Sequence, residues 1–281
     1  MGKIFANPLS RRTGATVAMV GLLLACAAVY AQRPFREYPA VEGDATASLP
    51  ADYNVPAEFV LGRLMFPARG RWGNRNWKEG YSAWTVDYPL GDRNYLRHLR
   101  RLINTSVRSV EQPVDLDDGD DVFNWPFLLA SFVGGWDLTD DQAAKLREYL
   151  LRGGFLMCDS FYGTVEWDGF QETLRRVFPD RPIVELPNDS PIFHTVYDLE
   201  KRSMVRNGRS LRGGGLGYRL DGVDPHWRAV LDDDGRVMVA ISFNNDLGDS
   251  WQYADIAEYP QEDTYLGIRL GVNYAIYAMT H

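Results

Sequence analysis

The chemistry in this chain gathers at two short polar turns, each of which follows an apolar run. Asp159-Ser160-Phe161-Tyr162 follows Phe155-Leu156-Met157-Cys158, and Asn244-Asn245-Asp246 follows Val237 to Phe243. Two carboxylates carried on separate strands are the material of general acid–base work, one giving and one taking a proton. Ser160 becomes a nucleophile only beside a base, and His194 is its one candidate. Asp159, His194 and Asp246 together are also a donor set for a divalent metal. No His-Glu-x-x-His or similar local spacing supports that set, so no metal and no cofactor is expected. Tyr162, Trp167 and Trp251 suit sugar stacking and plain packing equally. Cys158, inside the apolar run, reads as a small buried hydrophobe rather than a nucleophile.

The elements that must position these residues come from the periodicity. A continuous apolar run bounded by turn residues suits a strand covered on both faces, as in a parallel sheet. Thr139-Asp140-Asp141-Gln142 is a capping box, and Ala143, Leu146, Tyr149 and Leu150 form the buried stripe of the helix it opens. Gly153 ends that helix and leads into the Phe155 strand, which completes a strand–helix–strand crossover from a strand at Pro126–Phe132. Further strands are expected at Phe59–Phe66, Val107–Val114 and Ile183–Leu186. A hairpin over Trp227–Leu231 and Arg236–Phe243 should turn at Asp232-Asp233-Asp234-Gly235. Helices are expected from Asp92, as N-cap, to Asn104, over Phe170–Val177, and over Tyr265–Met279. The Trp-rich stretch Arg69–Tyr88 reads as a long irregular loop, either a flap plugging the core edge or a ligand-facing wall. Asp115 to Asp121 lacks the spaced ligands of a calcium loop and reads as a solvated turn. In open α/β sheets ligands collect at the carboxyl ends of the strands. Asp159, Ser160, Tyr162, His194, Asn244, Asp246 and Trp251 are therefore expected to line one pocket. For Asp159 the alternative is a helix cap, and for His194 a simple turn residue.

Length, charge and leader bound the function. The chain has 281 residues, 45% hydrophobic and 24% charged, enough for one large domain. Residues 1–31 read as a signal peptide, with Lys3, Arg11 and Arg12 before the apolar Ala15–Ala28 and a cleavage site at Val29-Tyr30-Ala31. Two variants stay open: lipidation at Cys26 in Leu23-Leu24-Ala25-Cys26, as in a bacterial lipobox, and twin-arginine export through Ser10-Arg11-Arg12. Residues 32–56, with four prolines, read as a linker, and 57–281 as the domain. Cleavage removes three basic and no acidic residues, leaving 27 against 38, a net of −11. Such a chain repels nucleic acid and anionic membranes, and no membrane span is expected after cleavage. Cys158 is then the one cysteine, so no intrachain disulfide forms. The expected address is periplasmic or extracellular.

Gly-Gly-Phe-Leu before the acidic turn at Asp159, Val177-Phe178-Pro179-Asp180-Arg181-Pro182, Ser190-Pro191-Ile192-Phe193-His194 and Asn244-Asn245-Asp246-Leu247-Gly248 occur in that order. Together they resemble domain-of-unknown-function family 4159, over roughly residues 57–281. The resemblance implies a flavodoxin-like, class I glutamine-amidotransferase-like fold, a mostly parallel sheet with helices on both faces. Class I amidotransferases place a cysteine at the strand-to-helix elbow and a histidine after a late strand. Here Asp159 or Ser160 falls at the elbow and Asn244 at the histidine position, and asparagine cannot take a proton from a thiol. Glutamine hydrolysis is not expected. The leading expectation is an exported ligand-binding or scaffold domain. The alternatives are an extracytoplasmic hydrolase of carbohydrate-like substrates through Asp159 and Asp246, and a structural partner in an envelope complex.

Overall fold

A computed structural model of the chain describes residues 33–281 apart from 44, 45, 71, 72 and 74. The expected signal peptide, the Cys26 lipidation site and Trp72 lie outside the described residues.

Seven strands form one sheet: β1 (Leu61–Met65), β2 (Gln112–Asp115), β3 (Phe127–Ser131), β4 (Phe155–Phe161), β5 (Val184–Glu185), β6 (His226–Leu231) and β7 (Val237–Phe243). Their order is β2-β1-β3-β4-β7-β6-β5. The five strands from β2 to β7 run parallel. β6 and β5 close the far edge antiparallel. Pro113 can sit inside β2 because β2 is the edge strand, where a missing N–H breaks no ladder.

Among the described residues six α-helices accompany the sheet: α1 (Leu90–Leu102), α2 (Asp140–Leu151), α3 (Gly163–Val177), α4 (Gly208–Arg212), α5 (Leu247–Gln252) and α6 (Gln261–Thr280). The period-2 alternation of the strands divides the core into two clusters. Leu128, Ala130, Leu156, Cys158, Val239 and Ile241 pack with the α2 and α3 stripes. Phe127, Leu129, Phe155, Met157 and Ala240 pack with Tyr95, Leu96 and Leu99 of α1 and with Leu270 and Tyr274 of α6. Helices thus cover both faces of a mostly parallel sheet, which is why the central strands are apolar without alternation.

Most elements follow the sequence pattern. The Thr139–Gln142 capping box closes reciprocally at 3.2 and 3.0 Å. Gly153 ends α2 at φ 104°, a conformation cheap only for glycine. Two expectations are corrected. α1 starts at Leu90, so Asp92 is no N-cap. It is fully buried and paired with Arg63 at 2.9 Å. Leu102, which helical spacing from Tyr95, Leu96 and Leu99 would place on the buried face, is exposed as the last residue of the helix.

The Trp-rich loop plugs the core edge. Trp77 and Trp84 are buried, and the Trp84 indole donates to Trp77 O at 2.8 Å. Arg63, wholly buried on β1, holds this loop by donating to Trp84 O at 2.9 Å and to Val86 O. The described residues of 35–56 form no helix or strand, and several of them bond to the domain. Glu37 pairs with Arg93 at 2.6 Å, and Val41 N donates to the Thr85 hydroxyl at 3.3 Å. None of the described helices is long and apolar enough to cross a membrane.

Candidate functional site

The strands end in unusual backbone. Phe132 just after β3, Ser160 in the last turn of β4 and Asn244 just after β7 all have positive φ, at 60°, 61° and 57°. Asp87, at the end of the Trp-rich loop, joins them at 64°. None is glycine, and each such conformation costs about 1–2 kcal/mol. Strain of this kind, repeated along one edge of a sheet, marks the place where the chain is bent to aim side chains. Ser160 is therefore the elbow residue. The β4–β7 register slips between Cys158 and Phe161 as the chain bends.

A cavity of about 130 Å³ opens there, lined by Glu42, Asp87, Phe132, Ser160, Asn207, Arg209, Arg219, Asp246 and Asp249 among others. Its four acids come from three separate segments. Glu42 belongs to the N-terminal arm, and its Oε2 accepts from Asp87 N at 3.0 Å. Asp87 Oδ2 accepts from Ser131 Oγ at 3.2 Å. Asp246 is the N-cap of α5, its Oδ1 accepting from Asp249 N at 3.1 Å. Asp249 lies one turn on, so the Asp-x-x-Asp spacing turns both carboxylates the same way. The Asn207 amide holds the pair together, donating to Asp246 Oδ2 and Asp249 Oδ2, each at 2.8 Å. Gly208 N adds a second bond to Asp249 Oδ2 at 2.7 Å. Gln252, with its amide nitrogen toward the acids, donates to Asp87 Oδ1 at 3.0 Å and to Glu42 Oε2 at 3.2 Å.

One oxygen from each of Asp87, Asp246 and Asp249 lies within 4.8 Å of the other two. All three residues are at most 3% exposed. Burial, then the charges of Asp249 and Asp246, push the Asp87 carboxyl well above the ordinary carboxylate range. Burial and then Asp246 do the same to Asp249. Burial raises Asp246 as well, and its bonds from Asn207 and from Asp249 N oppose the rise. Carboxylate oxygens of Asp87 and Asp249 lie within 4.8 Å of each other out of water, a closeness that two ionised carboxylates tolerate only with a shared proton or a cation. Arginine charge offsets this only in part: Arg219 lowers Asp246 and Arg63 lowers Asp87, each less than burial raises them, and Arg219 Nη1 is itself buried without a partner. Arg209 is bonded to Glu42, and Arg219 donates to Glu166 at 2.6 Å while its guanidinium covers the Phe132 ring at 4.7 Å.

The residues expected in one pocket divide. Ser160 and Asp246 line the cavity, with the Ser160 hydroxyl beside the Asp246 carboxylate. Asp159 lies behind it, wholly buried, with Oδ2 accepting from Gly248 N at 2.9 Å and Oδ1 unpartnered. It faces α5 because it continues the Phe155, Met157 parity of β4. Tyr162 is also fully buried, and its hydroxyl is unpartnered. Asn244 is a cap: its Oδ1 accepts from Gly163 N at 2.9 Å and closes the start of α3. Trp251 is not a wall, since it stacks on Tyr95 at 4.3 Å in the core. His194 is not in this cavity. Its ring is engaged by Asn188 O at 2.8 Å and Asp198 at 3.0 Å, so Ser160 has no imidazole base. Cys158 points to the opposite face, among the α2 and α3 side chains.

Sequence reasoning missed Glu42, Asp87, Asn207 and Asp249. Asp246-x-x-Asp249 was the available signal. The other three sit in irregular segments whose course nothing in the local pattern sets.

A family model described as domain of unknown function (DUF4159) matches residues 76–279. The chain belongs to the DUF4159 family. The matched span of this DUF4159 protein carries Asp87, Asp246, Asp249 and Asn207, whereas Glu42 and strand β1 precede it. No curated protein matches the chain.

Proposed function

We propose that this DUF4159 protein is an exported ligand-binding domain whose acidic crevice takes a small, positively charged ligand. One observation carries the reading. Asp87, Asp246 and Asp249, with Glu42 at the rim, converge on one small cavity at the carboxyl edge of the sheet while both neighbouring arginines are already engaged. Carboxylates buried without counter-charge are costly, so the crevice favours whatever brings positive charge. At about 130 Å³ the cavity falls below the roughly 300 Å³ at which small-molecule pockets begin. That volume suits an ion or a single cationic group better than a sugar ring.

The parallel strands follow the order β2-β1-β3-β4-β7, the flavodoxin-like order, which supports the amidotransferase-like fold within this proposal. On that fold the elbow carries Ser160 rather than cysteine, and Asn244 is spent on capping α3. The elbow cysteine is lacking and Ser160 has no base beside it, which supports binding over glutamine hydrolysis. Hydrolysis of a carbohydrate through Asp159 and Asp246 is the weaker reading, because Asp159 is sealed behind the cavity.

A thermal-shift screen tests the reading. Metal salts and organic cations should stabilise the wild-type protein, and neutral sugars and anions should not. Asp246→Asn, which keeps an equally good N-cap, should lose the shift. Stabilisation by neutral glycosides alone would refute it. N-terminal sequencing of protein from an exporting host tests the address: a mature start at Gln32 is expected, and a retained Met1 contradicts export.

A further inference from the structure

Three features of the crevice go beyond an acidic surface. Its donors are all hard oxygens, with no His or Cys among them. A separation of at most 4.8 Å between carboxylate oxygens is the span that one ion bridges at 2.1–2.5 Å from each. Two further oxygens are buried at 0% exposure beside this group without a partner: Asp159 Oδ1 and the Tyr162 hydroxyl. Asp159 shares Gly248 with the cluster, since Gly248 N donates to Asp159 Oδ2 at 2.9 Å and Gly248 packs against the Asp87 carboxylate, while the Arg219 guanidinium on the cavity wall covers the Tyr162 ring at 5.6 Å. Buried polar atoms are nearly always satisfied, so two orphan oxygens packed directly behind one cluster point to a group that completes them.

From these we infer that Asp87, Asp246 and Asp249 coordinate one hard divalent cation, of the Ca²⁺, Mg²⁺ or Mn²⁺ class, at the carboxyl edge of the sheet. This rests on the cationic-ligand reading above and names the ligand. The three carboxylates supply the first ligands. The cavity has room for about four waters, enough to fill the remaining positions and reach the Tyr162 hydroxyl. Ser131 on Asp87 and Asn207 on Asp246 and Asp249 orient the ligand oxygens, as outer hydrogen bonds do at metal sites. A metal ion fits better than an organic ammonium. The one aromatic ring lining the cavity, Phe132, already has the Arg219 guanidinium against it, so no cage remains for alkyl groups. Oxygen-only donors likewise disfavour zinc and copper.

The test is isothermal titration of chelator-treated protein with CaCl₂, MgCl₂ and MnCl₂, with near-ultraviolet circular dichroism to verify folding. One ion per chain is expected for at least one of the three salts. Asp87→Asn and Asp249→Asn should abolish binding, and Ser131→Ala should weaken it about 10–100-fold. If none of the three ions binds the folded wild-type protein, the metal site is overturned. If both Asn variants bind as the wild type does, the ion sits elsewhere and the assignment is equally overturned. Titration with spermidine and with arginine separates the two levels of the argument. Binding of either to the wild type but not to Asp249→Asn, with no metal bound, overturns the metal and keeps the cationic-ligand reading. No binding of any cation overturns both.

Discussion

Removing one charge from the acidic cluster should make the metal-free protein less sensitive to pH. Asp249→Asn is the cleanest perturbation. The amide oxygen can keep the bonds from Asn207 and Gly208 N, and its nitrogen can donate to Asp87 as a shared proton does. The sign follows from the direction of the shifts. Asp87, Asp159 and Asp249 are held well above the ordinary carboxylate range, by burial first and by neighbouring acids second. Each keeps its proton in the folded state at pH values where the unfolded chain has lost it. Their contribution is therefore fully present below about pH 4 and is lost as pH rises through the folded value.

Each excess proton makes stability fall by about 1.4 kcal/mol per pH unit. For a domain of this size that is about 3–6 °C in Tm per unit. Other groups titrate in the same window. Glu111, pushed up to about 7 by burial and by Asp92, adds to the slope, while His98, lowered by burial, opposes it. Both are common to the two proteins and cancel in the difference. The titratable groups around Asp249 are Asp87, Asp246, Glu42, Tyr162, Tyr253 and Tyr259, and these stay in place in the variant. Urea denaturation from pH 5 to 8 in the presence of chelator should show the variant gaining on the wild type by up to about 1.4 kcal/mol per unit as pH rises. A divalent ion at about 100 times its Kd should add about 2.7 kcal/mol to the wild type at pH 8 and nothing to the variant. Parallel stability curves, or a wild type that gains on the variant with pH, would refute the account of the cluster.

Three further outcomes follow from the packing. A Cβ on Gly248 collides with the Asp87 carboxylate, its Cγ being 2.9 Å away. Gly248→Ala should cost about 1–3 kcal/mol in urea unfolding and also lose cation binding, since Asp87 must move. Arg63→Met leaves Asp92 buried without its partner and frees Trp84 O and Val86 O, at about 3–5 kcal/mol by the same assay. Cys158, whose thiol is pushed up by burial and then by Asp159, should resist iodoacetamide in the native protein, and Cys158→Ala should leave cation binding unchanged.

The legible part of this molecule was what a local pattern dictates. Apolar runs gave β4 and β7, the capping box gave α2, and both polar turns that leave those strands reached the carboxyl edge. Ser160 and Asp246 line the cavity for that reason. The parity of β4 could also have assigned Asp159 to the α5 face rather than to the open cavity. His194 went wrong because β5 is an edge strand, paired antiparallel to β6, and its turn packs away from the central strand ends. Trp251 lies on the buried side of α5, where Tyr95 of α1 meets it, a tertiary contact with no signature in its own segment. Asp87 and Glu42 were illegible for a similar reason. Their positions depend on a buried arginine at Arg63 that ties down Trp84 and Val86, and on an arm whose course is set by Thr85 and Arg93.

The most direct test of the cation site is anomalous diffraction from crystals of the protein grown or soaked with MnCl₂. The account predicts a single strong anomalous peak bounded by Asp87, Asp246 and Asp249, with Mn–O distances near 2.2 Å. An empty crevice at millimolar Mn²⁺, or a peak only at another acidic cluster such as the Asp115–Asp121 turn, contradicts it.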